Sequence, residues 1–131
     1  MKAKGDPQLK LAHTMIRVRD LERSMAFYGE FLGMRETRRK DLGDALLVFL
    51  ADEDENHHIE LTFNKDGRDY QLGNQFGHLA FFTDDLDAVI ERVQQQGWSY
   101  RGSRPETGSK YIFIKDPDGY DIEILETGRE R

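Results

Sequence analysis

The sequence contains no cysteine. It therefore has no disulfide, no thiolate metal site and no cysteine nucleophile, so a bound metal must be held by His, Asp or Glu. No apolar run approaches the roughly 20 residues of a bilayer-spanning helix. The first residues also lack the continuous apolar core of a signal peptide. We therefore expect a cytoplasmic protein that does not enter the membrane.

Basic residues are fewer than acidic ones. Lys and Arg number 19 against 25 Asp and Glu, so the formal net charge is -6 at pH 7. Like charges repel over about a Debye length, which argues against nucleic acid or an anionic membrane as a partner. The 131 residues, of which 37% are hydrophobic and 34% are charged, suit one domain with a single core.

Two segments of the chain are similar to each other. Residues 13–21 align without a gap on residues 78–86, at an offset of 65 (78 − 13). Further along this register, Glu60 meets Glu123 at an offset of 63 (123 − 60). We therefore expect an internal repeat within a single domain of residues 1–131. The two copies span about 11–70 and about 77–126.

One helix is predicted in each repeat. The apolar stripes at helical spacing are Leu21, Met25, Tyr28 and Leu32 in the first repeat, and Leu86, Val89, Ile90 and Val93 in the second. Asp20 and either Asp84 or Asp85 are suited to cap the helices at their N-termini. Gly33 and Gly97 are suited to end them.

Strands occupy the rest of each repeat. They are predicted near 11–18, 35–40, 45–51 and 58–64, and near 78–83, 98–102, 110–115 and 121–126. Asp116-Pro117-Asp118-Gly119 predicts the turn before the last strand, because Pro fixes φ and Gly allows a positive φ. The predicted fold is α+β, with two tandem βαβββ modules that form a concave cup of sheet and carry the helices on its outer face.

Side-chain alternation along the strands separates an apolar face from a polar one. Ile59 and Leu61 point away from Glu60, and the apolar side is expected to lie under the helix. The polar faces then carry one His and one Glu from each repeat. These residues are His13, Glu60, His78 and Glu123. Two imidazoles and two carboxylates suit an octahedral divalent ion with two open positions.

Each of these residues alone has an ordinary structural explanation. A Glu between isoleucines usually marks the solvated side of an antiparallel strand. The recurrence of the same two residue types at matching positions favours the metal site. His58 shares the parity of Glu60 and is a lesser candidate ligand, while His57 is expected at the surface.

Other side chains are interpreted as structural. The basic residues Arg35, Arg38, Arg39 and Lys40 suit a solvated edge. Trp98 and the phenylalanines suit the core. Residues 52–63 begin like a calcium loop but lack its Gly and its final Glu.

Together these features resemble the glyoxalase I (lactoylglutathione lyase) family of the vicinal oxygen chelate superfamily. The match runs over about residues 11–126 and includes HTMIRVRDLERSMAFYGEFLGM, IELTFN, GHLAF and DPDGYDIEIL. The resemblance implies metal ligands at the four residues that the repeat selects. It also implies a homodimer in which each site takes His13 and Glu60 from one chain and His78 and Glu123 from the other.

The resemblance further implies a carbon–sulfur lyase that detoxifies methylglyoxal. The family substrate is the hemithioacetal that methylglyoxal forms with glutathione or a related thiol, and the product is S-lactoylglutathione. A carboxylate removes the C1 proton, the metal stabilises a cis-enediolate, and the proton returns at C2. By resemblance, Glu123 is the main base and Glu60 its pseudo-symmetric partner. Arg17 and Asn64 would contact the thiol part of the substrate.

The sequence constrains the identity of the metal and of the thiol less than it constrains the reaction. Ligand softness favours Ni, Co or Zn over Mg or Ca, and resemblance to compact relatives favours Ni²⁺ or Co²⁺, with Zn²⁺ as the alternative. Residues 101–110 depart from glutathione-specific relatives, which often carry a Lys-Gly-Gly-like loop there. Arg104 or Lys110 would then hold the terminal carboxylate of the substrate.

Two alternative functions use the same fold. The first is another vicinal oxygen chelate enzyme, such as an epimerase, a dioxygenase or an antibiotic thiol transferase. Glu60 counts against a dioxygenase and against an antibiotic thiol transferase, because these enzymes generally have a metal site of two His and one Glu. The second is a metal-free module that binds a small molecule such as an antibiotic, for which no His and Glu quartet is needed.

Overall fold

The computed structural model describes residues 5–103 and 108–129. The chain divides into two compact units, Met1–Asp69 and Tyr70–Arg131. Each unit has the order strand, helix and three strands. The predicted α+β fold with two βαβββ modules is therefore confirmed.

The first unit contains a four-stranded mixed sheet. Its elements are β1 (His13–Arg17), α1 (Leu21–Met25) continued by a π-helical segment (Ala26–Phe31), β2 (Arg35–Asp41), β3 (Ala45–Ala51) and β4 (His58–Asn64). The strand order is β1-β4-β3-β2. β1 and β4 are parallel and the other neighbours are antiparallel.

The second unit repeats this arrangement. Its elements are β5 (His78–Thr83), α2 (Leu86–Gln96), β6 (Arg101–Gly102), β7 (Tyr111–Lys115) and β8 (Asp121–Glu126). The strand order is β5-β8-β7-β6, and β5 and β8 are parallel. The strand predicted near 98–102 is confined to β6, because only its two residues pair with β7.

The ends of the helices follow the predicted signals. The Asp20 carboxylate accepts a hydrogen bond from the Arg23 N–H at 3.1 Å, and the Asp85 carboxylate accepts one from the Ala88 N–H at 3.1 Å. Gly97 ends α2 in the left-handed conformation, with φ of 76°. Of the two candidate caps for α2, Asp85 is therefore the one used.

The predicted turn between β7 and β8 is also present. The Asp116 carboxylate accepts hydrogen bonds from the N–H groups of Asp118 and Tyr120, each at 2.9 Å. Gly119 has a φ of 92°, which a residue with a side chain rarely adopts. The turn aligns β8 beside β7.

The apolar stripe predicted for the first helix is partly wrong. The buried helical residues are Ser24, Phe27, Tyr28 and Phe31. Leu21 and Leu32 remain partly exposed. The aromatic rings bury more apolar area than these leucines would, and Phe27 and Phe31 stack at 5.8 Å. In α2, Leu86 and Val93 are buried as predicted.

Each sheet has one apolar face in the core. In the first unit these buried residues include Ile16, Val48, Leu50, Ile59 and Leu61, and in the second Ile112, Ile114, Ile122 and Ile124. The opposite face of each sheet carries His13 and Glu60 or His78 and Glu123, and we call it the His/Glu face. The parity predicted for β4 and β8 is therefore confirmed.

Some aromatic residues lie outside the core. Phe82 is 66% exposed and Phe76 is also exposed, so the expectation that the phenylalanines are core residues is wrong for these two. Trp98 is half-buried. Phe82 lies on β5, an edge strand, at a position that shares the His/Glu face and is turned away from the buried isoleucines.

The charged strand β2 forms one edge of the first sheet, opposite β1. All seven of its residues are exposed, as expected for a solvated edge, and charged side chains there discourage pairing with other chains. No helix in the described parts of the chain is both long and apolar enough to cross a membrane.

Candidate metal centre

The first His/Glu pair lies on neighbouring strands, β1 and β4. His13 Nε2 is 3.1 Å from Glu60 Oε1, with the imidazole 41% exposed and the carboxylate side chain 11% exposed. The Thr62 hydroxyl donates a hydrogen bond to Glu60 Oε2 at 2.8 Å. Both oxygens of Glu60 are therefore held, one by an imidazole and one by a hydroxyl.

The second pair has the same arrangement on β5 and β8. His78 Nε2 is 3.0 Å from Glu123 Oε1. The Glu123 side chain is 2% exposed, whereas the His78 side chain is 31% exposed. A buried carboxylate is costly unless it is paired, and the histidine provides that partner while its ring still reaches solvent.

The geometry of each pair fits two ligands of one cation. Metal–nitrogen and metal–oxygen bonds of about 2.1 Å at right angles place the ligand atoms roughly 3 Å apart. The observed separations of 3.1 and 3.0 Å match this spacing. Imidazole nitrogen and carboxylate oxygen are also donors that Ni, Co and Zn accept.

One pair alone is an incomplete site. Zinc centres in proteins use three or four side chains. Within residues 5–103 and 108–129, no group of three or more His, Asp or Glu side chains is close enough to hold a metal ion. Each unit thus provides half of the ligand set that the sequence predicts.

A phenylalanine lies against each imidazole. The rings of Phe49 and His13 are 5.4 Å apart at 84°, and those of Phe113 and His78 are 5.0 Å apart at 88°. In the strand register Phe49 pairs with Glu60, and Phe113 pairs with Glu123. Sequence analysis missed these two residues, although their offset of 64 (113 − 49) matches the repeat.

The predicted substrate-binding residues lie on the His/Glu face of the first unit. Arg17 is exposed at the end of β1, and Asn64 is half-buried at the end of β4. Arg17 pairs with Thr62 in the register, two positions before Asn64 on β4. Both side chains therefore lie along the face that carries Glu60.

Of the two loop residues predicted to hold the terminal carboxylate of the substrate, the structure describes Lys110. Arg104 lies outside the described residues. Lys110 Nζ is 3.2 Å from Asp87 on α2 and 3.4 Å from Glu126. The hydrogen bond to Asp87, assisted by Glu126, raises the pKa of Lys110. Its charge is thus directed to the helix.

The two adjacent histidines differ in environment. His57 is half-buried, and its Nε2 is 3.0 Å from the Thr14 hydroxyl, so the prediction of a surface histidine is wrong. The physical reason is that β4 starts directly beside β1, where the His58 N–H donates to the Ala12 carbonyl at 3.1 Å. His58 itself shares the parity of Glu60 and pairs with His13 in the register.

Known proteins resemble this chain over most of its length. A sequence model of the Glyoxalase/Bleomycin resistance protein/Dioxygenase superfamily matches residues 10–124. The lactoylglutathione lyase of Neisseria meningitidis serogroup A is 43% identical over 125 residues, which cover 90% of this chain and 91% of that protein. The probable lactoylglutathione lyase of Synechocystis is 38% identical over 128 residues, which cover 92% and 98%.

A solved structure is similar as well. It is that of the trypanothione-dependent glyoxalase I of Leishmania major, with a TM-score of 0.78 and 33% sequence identity over 91% of this chain and 87% of that chain. Sequence, fold and the two His/Glu pairs therefore lead to the same assignment: the chain belongs to the glyoxalase family, within the Glyoxalase/Bleomycin resistance protein/Dioxygenase superfamily.

Proposed function

We propose that this chain is a metal-dependent lactoylglutathione lyase (glyoxalase I). It converts the hemithioacetal of methylglyoxal and glutathione, or a related thiol, into S-lactoylglutathione. Relatives with that name at 43% and 38% identity support the proposal. The observation that carries it is the pair of matching His/Glu contacts at 3.1 and 3.0 Å, one in each unit.

The residues that would hold the metal are the two pairs together. These are His13, Glu60, His78 and Glu123. We propose Ni²⁺ or Co²⁺ as the ion, with Zn²⁺ as the alternative, because the ligand set combines imidazole with carboxylate. When bound, a divalent cation supplies positive charge that stabilises negative charge developing on the substrate oxygens.

We propose a homodimer with two such sites. Each site takes the first pair from one copy and the second pair from the other, and the two modules of each chain act as one glyoxalase-like domain. Each unit supplies two ligands at hydrogen-bond distance from each other, which is too few for a complete centre. The exposed Phe82 and Phe76 also provide apolar surface of the kind that interfaces cover.

Glu123 is proposed as the base. Its carboxylate accepts the proton from C1 of the hemithioacetal, and the electron pair of the C1–H bond becomes part of the C1–C2 double bond of the enediolate. In the same step the π electrons of the C2 carbonyl move onto the C2 oxygen. When the proton then returns to C2, the C1 hydroxyl proton passes to the C2 oxygen and C1 becomes the thioester carbonyl. The low exposure of Glu123, 2%, keeps water from this proton. Glu60, held through both oxygens, suits the role of ligand and of partner for reprotonation.

Arg17 and Asn64 are proposed to contact the thiol part of the substrate. Their placement along the His/Glu face, beyond Glu60, supports this role. We also propose that the reaction takes place in the cytoplasm, where glutathione keeps thiols reduced.

A metal-depletion experiment tests the proposal. Protein stripped with a chelator should lose turnover of the hemithioacetal, measured as thioester formation, and should regain it with Ni²⁺ or Co²⁺ more than with Zn²⁺. Full turnover by metal-free protein would contradict it. His78→Ala should bind less metal in equilibrium dialysis, whereas the control His57→Ala should bind as much as the unmodified chain.

A further inference from the structure

Thr62 lies beside Glu60 on the His/Glu face and holds one of its carboxylate oxygens. The Thr62 hydroxyl donates a hydrogen bond to Glu60 Oε2 at 2.8 Å, while Glu60 Oε1 lies 3.1 Å from His13 Nε2. Thr62 and Glu60 are both buried. Because little water reaches this hydrogen bond to compete with it, the hydroxyl restricts the orientations that the carboxylate can adopt.

The cross-strand neighbours of Glu60 cannot replace this hydroxyl. In the strand register Glu60 pairs with Met15 on β1 and with Phe49 on β3. A thioether and a phenyl ring carry no N–H or O–H group, so neither side chain can donate a hydrogen bond. The restraint on Glu60 Oε2 therefore depends on Thr62.

The strand environment also fixes the direction of the Thr62 hydroxyl. Thr is β-branched, which restricts rotation about χ1. In the register Thr62 pairs with Arg17 on β1 and with Leu47 on β3, so its side chain has a cross-strand neighbour on each side. Its carbonyl accepts a hydrogen bond from the Val18 N–H at 3.0 Å, which continues the pairing of β4 with β1. The hydroxyl is thus presented to Glu60 from a strand that is paired on both sides.

The second repeat differs at the equivalent position. Thr62 aligns with Leu125 at an offset of 63 (125 − 62), the same offset that relates the two glutamates. Leu125 is buried on the face that carries Glu123, and its side chain has no hydrogen-bond donor. The two His/Glu pairs have nearly equal separations, 3.1 and 3.0 Å, but a hydroxyl follows the glutamate in the first repeat and an aliphatic group in the second.

We propose that Thr62 is a positioning residue that keeps Glu60 in the orientation of a fixed metal ligand. The inference rests on the proposed function, because it concerns the same site. With Oε2 held by the hydroxyl, Oε1 stays beside His13 Nε2. Side chains that hydrogen-bond a metal ligand are usually worth about 10–100-fold in metal affinity or activity. Removal of the substrate proton is then left to Glu123, which has a leucine in place of that hydroxyl.

Metal binding without turnover tests the inference. Thr62→Val keeps the shape of the side chain but removes the hydroxyl, and it should raise the Kd for Ni²⁺ about tenfold in equilibrium dialysis. Thr62→Ser keeps a hydroxyl and should restore most of the affinity. The control Thr14→Val loses a hydroxyl 3.0 Å from His57 Nε2, on the opposite face of the sheet, so its Kd should be that of the unmodified chain.

Two outcomes of this titration would overturn the inference. One is a Kd for Thr62→Val equal to that of the unmodified chain. The other is a Thr62→Ser variant that binds Ni²⁺ as weakly as Thr62→Val, since the hydroxyl would then have no effect of its own. Thermal melting of each variant checks that it is folded.

A double-substitution cycle shows whether Thr62 acts through Glu60. In a chain that carries Glu60→Ala the carboxylate is absent, so the addition of Thr62→Val should change the Kd for Ni²⁺ by less than about twofold. An effect as large as in the unmodified background would show that Thr62 only supports the sheet, and the inference would be wrong. The absorption spectrum of bound Co²⁺, which reports ligand geometry, should change in Thr62→Val and not in Thr14→Val.

Turnover separates this inference from the proposed function. With the hemithioacetal and saturating metal, Thr62→Val should lower kcat and leave KM close to that of the unmodified enzyme, because a less fixed ligand positions the reacting groups less well. A raised KM with an unchanged kcat would place Thr62 at the substrate and overturn the inference. An active enzyme whose metal affinity ignores Thr62 removes the inference and leaves the function. A chain whose Kd for Ni²⁺ depends on Thr62, but which turns over no hemithioacetal with any metal, does the reverse.

Discussion

At the scale of single residues, the two carboxylates of the candidate site have different surroundings. Glu60 accepts a hydrogen bond from Thr62, two positions further along β4. The position equivalent to Thr62 in the second repeat is Leu125, a buried apolar residue. Glu123 is also the more enclosed of the two, with 2% of its side chain exposed against 11% for Glu60. Two residues related by the repeat can therefore have different tasks.

Replacement of the carboxylates tests this difference. Glu123→Gln keeps the shape of the side chain but removes the proposed base, so kcat should fall by more than about tenfold while the chain stays folded. Glu60→Gln should reduce kcat less than Glu123→Gln does, and it should also lower the affinity for the metal. Near-normal turnover by Glu123→Gln would refute the assigned role. Glu91→Gln, an exposed change on α2, serves as the control.

At the scale of the elements, the start of α2 is held by acidic side chains from two places in the chain. Asp85 accepts a hydrogen bond from the Ala88 N–H at 3.1 Å, and Glu126 at the end of β8 accepts one from the Leu86 N–H at 3.0 Å. The bond from Leu86 lowers the pKa of Glu126, with Lys110 adding to the effect. Because folding lowers this pKa, the contact stabilises the fold at neutral pH and is lost as the pH falls through the lowered value.

Replacement of adjacent aspartates tests the cap. Asp85→Ala should destabilise the chain by about 1 kcal/mol and lower the Tm by roughly 3–5 °C. Asp84→Ala should leave the Tm unchanged, since Asp84 is exposed and caps no N–H group of α2. Differential scanning calorimetry at pH 7 measures both. An equal loss in the two variants would show that general charge, and not the cap, stabilises the helix.

At the scale of the whole molecule, two half-sites are the main feature. Each unit has one His/Glu pair, and neither pair has the three ligands of a metal centre within the described residues. A symmetric dimer solves this because its two-fold axis brings a different unit from each copy to each site. The dimer is our proposal, and it predicts that two inactive variants can complement each other.

Mixing two inactive variants tests the shared site. One variant carries His13→Ala with Glu60→Gln, and the other carries His78→Ala with Glu123→Gln. Each alone should be inactive, because every site lacks one pair. After subunit exchange, half of the dimers are mixed and each of these has one intact site, so activity should return to roughly a quarter of the unmodified level. No recovery, despite mixed dimers seen by native mass spectrometry, would contradict sites shared between chains.

Local patterns in the sequence were sufficient to predict much of the fold of this protein. The order of the elements, the two modules and the polar face that carries His13, Glu60, His78 and Glu123 follow from alternation, spacing and capping signals. These signals are carried by residues a few positions apart, so they can be recognised before any long-range contact is known. The repeat adds to them, because it shows the same residue types at equivalent places twice.

Other features depended on which strands become neighbours. Phe49 and Phe113 lie on β3 and β7, far in sequence from the imidazoles that they contact, and Arg38 and Arg101 reach those rings from yet another strand. The burial of His57 beside Thr14 likewise needs β4 to pair with β1. Such contacts form by sheet pairing and by competition for buried area, and no periodicity along a single segment records them.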